Sequence, residues 1–119
     1  MVESDKLVKT AAQTADDKKA EDILVLNVRE PLVITSYFLI MSGRSTRQVK
    51  ELARSIRDKM SELRVKPIGA EGEEDGRWVL LDFGDLVVHI FTAEERGFYE
   101  LERLWSDAPE VEWKKLKEV

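Results

Sequence analysis

Arg77-Trp78-Val79-Leu80-Leu81-Asp82-Phe83-Gly84-Asp85-Leu86-Val87-Val88-His89-Ile90-Phe91 is the stretch on which the fold turns. Two apolar runs, 78–81 and 86–91, flank the break at 82–85. Runs of this length, rich in Val, Ile and aromatics and bounded by Gly and Asp, read as the strands of a hairpin. Gly84 accepts a positive φ, and an Asp carboxylate accepts hydrogen bonds from nearby backbone amides, so both suit the turn. A Trp, two Asp residues and the single His of the chain crowd onto this ribbon.

Length and composition bound the rest. A chain of 119 residues, 43% hydrophobic and 36% charged, fits one folded domain with its own core. It has no Cys, which excludes disulfides, thiolate zinc sites and Cys nucleophiles. With one His, a transition-metal site needs carboxylates for nearly all its ligands, so neither metal nor cofactor is expected. The net charge of −5 opposes broad electrostatic attraction to nucleic acid and suits a basic protein partner. No apolar run approaches the roughly 18 residues of a membrane span. The first residues, Met-Val-Glu-Ser-Asp-Lys, resemble neither a signal core nor a transit peptide, so a cytoplasmic location is expected.

Outward from the hairpin, the spacing of Leu7, Val8, Ala11, Ala12 and Ala15 predicts a shallowly packed helix over 3–20, with Ser4 as N-cap. Residues 23–28 form a strand whose four-residue apolar run implies cover on both faces. Pro31 ends it. A short piece at 32–34 precedes a second strand over 37–41. Ser45 then caps a helix over 46–63, with Val49, Leu52, Ala53, Ile56, Met60 and Leu63 on one side. Its other side carries Lys50, Glu51, Arg54, Arg57, Asp58 and Lys59. A weaker strand over 65–70 and an acidic loop at 71–75 lead to the hairpin, and Thr92 caps helical segments over 93–105. In those segments Tyr99, Leu101 and Leu104 or Trp105 are candidates to face inward. The strand-helix-strand at 37–70 implies a parallel pair, and the hairpin adds antiparallel strands, giving a mixed α/β sheet flanked by helices. Residues 1–108 read as the domain, and 109–119 as a polar tail anchored by Trp113.

Three places carry possible chemistry. The Gly43-Arg44-Ser45 junction offers free amides to an anion, as nucleotidyltransferases hold a triphosphate, or is simply a tight turn with an N-cap. Asp82, Asp85 and His89 suggest an acid–base set, but no nucleophile accompanies them unless Ser42 or Ser45 approaches. A lone His in an apolar strand is also what a structural residue looks like. Trp78 reads either as core or as an interface anchor, and the acidic loop beside it would steer a Lys/Arg-rich partner.

The motifs Tyr37-Phe38-Leu39-Ile40-Met41-Ser42-Gly43-Arg44-Ser45-Thr46-Arg47-Gln48-Val49, Glu71-Gly72, Trp78 through Phe91, and Phe98-Tyr99-Glu100-Leu101-Glu102-Arg103-Leu104-Trp105 together resemble the ribosomal silencing factor (Iojap-related) family over roughly residues 5–108. The resemblance implies a non-catalytic factor that binds the large ribosomal subunit through ribosomal protein number fourteen. There it blocks subunit joining and represses translation. It also implies a mixed sheet of about five strands, nucleotidyltransferase-like without the catalytic carboxylates, and a tendency to form homodimers. Trp78, Asp82, Phe83, Gly84 and Asp85 match the motif expected to shape the partner surface. Ser45 and Arg47, which match the turn and helix start, and His89, which matches the strand position, are expected to bind the partner as well, and Tyr99, Glu102 and Trp105 match the closing helix. Phe83 stands where Tyr is common, which removes a hydroxyl, and Ser36 stands where Asp commonly precedes the aromatic. The competing expectation is an enzyme using the Gly43–Ser45 turn.

Overall fold

The computed structural model describes residues 3–29 and 35–116, with the backbone alone at 98, 99, 101 and 102. Its elements are α1 (Ser4–Asp17), β1 (Glu21–Asn27), β2 (Tyr37–Gly43), α2 (Thr46–Glu62), β3 (Gly69–Glu71), β4 (Trp78–Asp82), β5 (Leu86–Thr92), α3 (Ala93–Tyr99) and α4 (Leu101–Leu104), followed by a 3₁₀ turn at Trp113–Lys115. The strands form one sheet in the order β1-β2-β5-β4-β3. The piece expected at 32–34 lies outside the described residues.

The expected hairpin is present: β4 pairs antiparallel with β5, from Trp78 opposite Phe91 to Asp82 opposite Val87. The parallel pair is present too, but with a different partner. β2 runs parallel to β5, from Tyr37 beside Leu86 to Gly43 beside Thr92. The strand expected over 65–70 shrinks to Gly69–Glu71, which is exposed and pairs antiparallel with β4 at the sheet edge. The reason is apolar supply. All seven residues of β2 are buried, so its neighbours must bring apolar side chains to both faces. Leu86 to Phe91 can do this, and Gly-Ala-Glu cannot.

The two helical stripes cover one face of the sheet. Leu7, Val8, Ala11, Ala12 and Ala15 of α1, and Val49, Leu52, Ala53, Ile56 and Met60 of α2, pack with Val25, Leu39, Met41, Val79, Leu81, Val88 and Ile90. Leu63 is only partly buried at the edge of this layer. The alanines give α1 a thin face, and each is fully buried because the helix approaches the sheet closely. The α1 N-cap is Glu3, with no side-chain bond. Ser4, expected in that role, instead accepts from Arg29 Nη2 at 3.0 Å. In α2 the expected cap holds: Ser45 Oγ accepts from the Gln48 amide at 3.1 Å.

The second face holds a smaller apolar cluster of Leu26, Val28, Phe38, Ile40 and Phe91. With Val25 in the helix-side cluster, β1 is covered on both faces as expected, although it is an edge strand. Thr92 Oγ1 caps α3 by accepting from the Glu95 amide. Arg96 of α3 donates to Ser42 Oγ at 3.0 Å and to the Asp22 carbonyl at 2.6 Å, fixing α3 over one end of the sheet. Trp105 turns inward, edge-on to Phe38 at 5.3 Å, while Leu104 is 76% exposed. The side chains of Tyr99, Leu101 and Glu102 lie outside the described residues.

The segment after Ala108 runs along β1. The Asn27 amide donates to the Pro109 carbonyl at 2.9 Å, and the Val111 amide to the Val25 carbonyl at 2.8 Å. Trp113, the expected anchor, is buried in the helix-side core, and Lys9 Nζ donates to the Leu116 carbonyl at 2.6 Å.

Candidate functional site

Alternation along the hairpin decides which side chains share a face. Trp78, Leu80 and Asp82 of β4 stand opposite Phe91, His89 and Val87 of β5, on the face away from α1 and α2. α3 and Trp105 cover this face over β2 and the end of β5. Towards β4 it stays open: Trp78, Leu80, Asp82 and Val87 are all half-exposed. Glu71 of β3, opposite Leu80 and exposed, extends the same face. The result is a short apolar strip, Trp78-Leu80-Val87, rimmed by the carboxylates of Asp82 and Glu71.

Trp78 is fixed rather than free to swing. Its indole stacks on Phe91, with ring centres 4.9 Å apart and planes at 27°. Its Nε1–H donates to His89 Nδ1 at 3.3 Å. His89 is buried between Trp78, Phe38 (ring centres 5.1 Å, edge-on) and Phe91. Burial disfavours the imidazolium and lowers the His89 pKa from 6.5 to about 4. A neutral ring accepting at Nδ1 carries its proton on Nε2, and Nε2 is buried without a hydrogen-bond partner. No carboxylate of the described residues bonds this ring, so Asp82, Asp85 and His89 do not assemble as an acid–base set. His89 orients Trp78.

The other residues singled out in the sequence go to three different places. Asp82 Oδ1 accepts from the Gly84 amide at 2.8 Å, and Gly84 has φ +90, the left-handed turn that glycine suits. Asp85 is exposed, and its carbonyl accepts from the Ser36 and Tyr37 amides, tying the turn to the start of β2. Phe83 was expected at the partner surface, but its ring is buried in the helix-side core, on the opposite face from Trp78. An apolar ring next to an Asx turn is drawn inward because that is where water is excluded. Ser45 and Arg47 lie at the far end of β2 from the hairpin turn, roughly 20 Å away for six strand steps, and within the helix layer.

Beside Ser45 a hollow of about 380 Å³ is lined by Arg44, Ser45, Thr46, Arg77, Thr92 and residues 93–95. Ser45 Oγ accepts from the Gln48 amide, and Gln48 Oε1 accepts from the Arg44 amide at 2.6 Å. These bonds satisfy the Arg44 and Gln48 amides internally, in the manner of a capping box. Glu94 and Glu95 add negative charge where an anion would have to sit. Among the described residues no three His, Asp or Glu side chains stand close enough to share a metal ion.

Sequence reasoning missed Leu80 and Val87, which form the open strip with Trp78, and Phe38 and Phe91, which support it. The signal was available in the period-two pattern of the hairpin, which puts 78, 80 and 82 with 87, 89 and 91.

Known proteins share the sequence and the fold of this chain. The family model "Ribosomal silencing factor during starvation" matches residues 2–119. The Ribosomal silencing factor RsfS of Bacillus subtilis is 47% identical over 103 residues, 87% of each chain. The mouse protein named "Mitochondrial assembly of ribosomal large subunit protein 1" is 34% identical over 92 residues, 75% of this chain and 40% of its own. A crystal structure of a Chromobacterium violaceum protein superposes with a TM-score of 0.85 at 37% identity, covering 88% of both chains. From this match over nearly its whole length, together with the shared five-stranded fold, the chain belongs to the ribosomal silencing factor family.

Proposed function

We propose that this protein docks on the large ribosomal subunit through the open face of its β4–β5 hairpin, meets ribosomal protein number fourteen there, and blocks subunit joining by occupying the space. Translation is repressed as a result, and no chemistry is performed. The observation that carries this reading is the half-exposed Trp78, held by Phe91 and His89 beside the Asp82 and Glu71 carboxylates. A pre-organised aromatic loses little side-chain freedom on binding, and Trp is enriched among residues that dominate interface energies. The acidic rim and the net charge of −5 favour a basic partner and raise its on-rate. The mouse relative's name refers to the large ribosomal subunit, which agrees with this direction. A cytoplasmic location fits a ribosome-bound factor, and among the described residues no helix is long and apolar enough to cross a membrane. Homodimers would form by covering the same apolar strip, in competition with the ribosome.

Gradient sedimentation of the protein with separated subunits tests the proposal. The protein is expected to migrate with the large subunit and to lower the yield of joined ribosomes when small subunits are added. Migration with small subunits alone, or undiminished joining at saturation, would sink it.

A further inference from the structure

α2 carries a line of cations that the hairpin face does not use. Arg47, Lys50, Arg54 and Arg57 follow at steps of three, four and three residues, which places them along one side of the helix over about 15 Å. Glu51, Asp58 and Glu62 form a separate neighbouring line. Arg57 is neutralised, its Nη1 donating to both oxygens of Glu73 at 2.9 and 3.1 Å. Among the described residues, Arg47, Lys50 and Arg54 pair with no carboxylate. Arg47 and Arg54 are exposed. The Lys50 stem lies against Gly76, where an added Cβ would meet Lys50 Cε at 2.9 Å.

We infer that Arg47, Lys50 and Arg54 bind the phosphate backbone of RNA without reading its bases. A row of cations one helical turn apart complements a row of phosphates, and the guanidinium fork suits phosphate oxygens. An acidic peptide fits less well. A peptide bound as a helix in a groove or an added strand needs apolar anchors or a sheet edge, and the large apolar side chains exposed among the described residues, Ile68 and Leu104, are not on this helix. Charges beyond about 8 Å are largely screened at physiological salt, while Glu51 and Asp58, one helical turn from Arg47 and Arg54, oppose the row locally. α2 and Trp78 lie on opposite sides of the sheet, so both surfaces can be engaged together. The RNA contact stands apart from the docking of Trp78; only its placement on a ribosome rests on that reading.

Fluorescence anisotropy of the full chain with a labelled RNA duplex, titrated with salt, tests the inference. Three phosphate contacts give a slope of log K against log salt of about −2.7, or about a 40-fold weakening from about 50 to about 200 mM. The triple variant Arg47→Gln/Lys50→Gln/Arg54→Gln is expected to lose that slope and keep its circular dichroism and melting temperature. Glu51→Gln/Asp58→Gln is expected to bind more tightly with the slope retained. Trp78→Ala is expected to bind the duplex normally, so a failure of large-subunit docking is distinguishable from a failure here. An unchanged slope in the triple variant overturns the RNA contact. So does displacement of the duplex by polyglutamate at equal charge concentration.

Discussion

Trp78 Nε1 donates to His89 Nδ1 at 3.3 Å across the β4–β5 ladder, making the one buried imidazole the support for the half-exposed indole. The bond needs Nδ1 unprotonated. A proton added there removes the acceptor and places a charge among Phe38, Phe91 and Trp78.

That relationship sets a pH dependence. The His89 pKa is lowered in the folded state to about 4 from an ordinary 6.5. Above 6.5 the ring is neutral in both states and contributes no pH dependence. As pH falls from 6.5 to 4, the unfolded chain takes up the proton and the folded one does not, so stability is lost. The full loss is about 3 kcal/mol. Urea denaturation at several pH values is expected to show it, and His89→Phe is expected to flatten the decline between pH 6.5 and 4 relative to wild type. Equal declines in the two proteins would show that His89 is not the group responsible.

Trp78→Ala is expected to leave a folded domain, because the ring is half-exposed, and to weaken large-subunit binding by about 2 kcal/mol, roughly 30-fold. Co-sedimentation over a range of protein concentrations measures this. If the variant comigrates normally, Trp78 is not the anchor. If it unfolds, the ring is serving the core.

Asp82 has two jobs that substitution separates. Asp82→Asn retains the acceptor for the Gly84 amide but removes the charge, so slower association with unchanged stability is expected. Asp82→Ala also loses the turn bond, at about 1 kcal/mol. Stopped-flow binding and thermal melts distinguish the two effects.

Ser45→Ala removes the α2 cap and is expected to lower stability by about 1 kcal/mol, a fall in Tm of about 4 °C. Large-subunit binding is expected to be unaffected once the protein is folded. Calorimetry with a nucleoside triphosphate and Mg²⁺ is expected to give no saturable heat. Saturable binding abolished by Ser45→Ala would restore the enzyme reading of the Gly43–Ser45 turn.

Trp113→Ala is expected to cost about 3 kcal/mol, the usual scale for truncating a buried aromatic. Truncation after Ala108 is expected to do more, since it also strips the backbone bonds that shield the β1 edge. Analytical ultracentrifugation of the truncated chain is expected to show aggregation.

Much of the fold was legible because its signals are local. The α2 stripe and its Ser45 cap, the hairpin strands around Gly84, and the alternation that puts Trp78 with Leu80 follow from helical and strand periods and from turn chemistry within a few residues. The Ala-rich side of α1 was equally visible, although its cap was not: Arg29, 25 residues away, takes the Ser4 hydroxyl.

Sequence alone thus determined the mixed α/β class, the hairpin, the long helix and the family, since each rests on short-range pattern or on motif. Tertiary structure decided which strand lies beside β2, that Phe83 points inward, that the segment around Trp113 packs on β1, and that the open face is shared by Trp78, Leu80, Asp82 and Val87. Those outcomes depend on competition among distant segments for a limited apolar surface. The 78–91 ribbon could be read from its residues, and its two faces received their different roles only when α1 and α2 covered one of them.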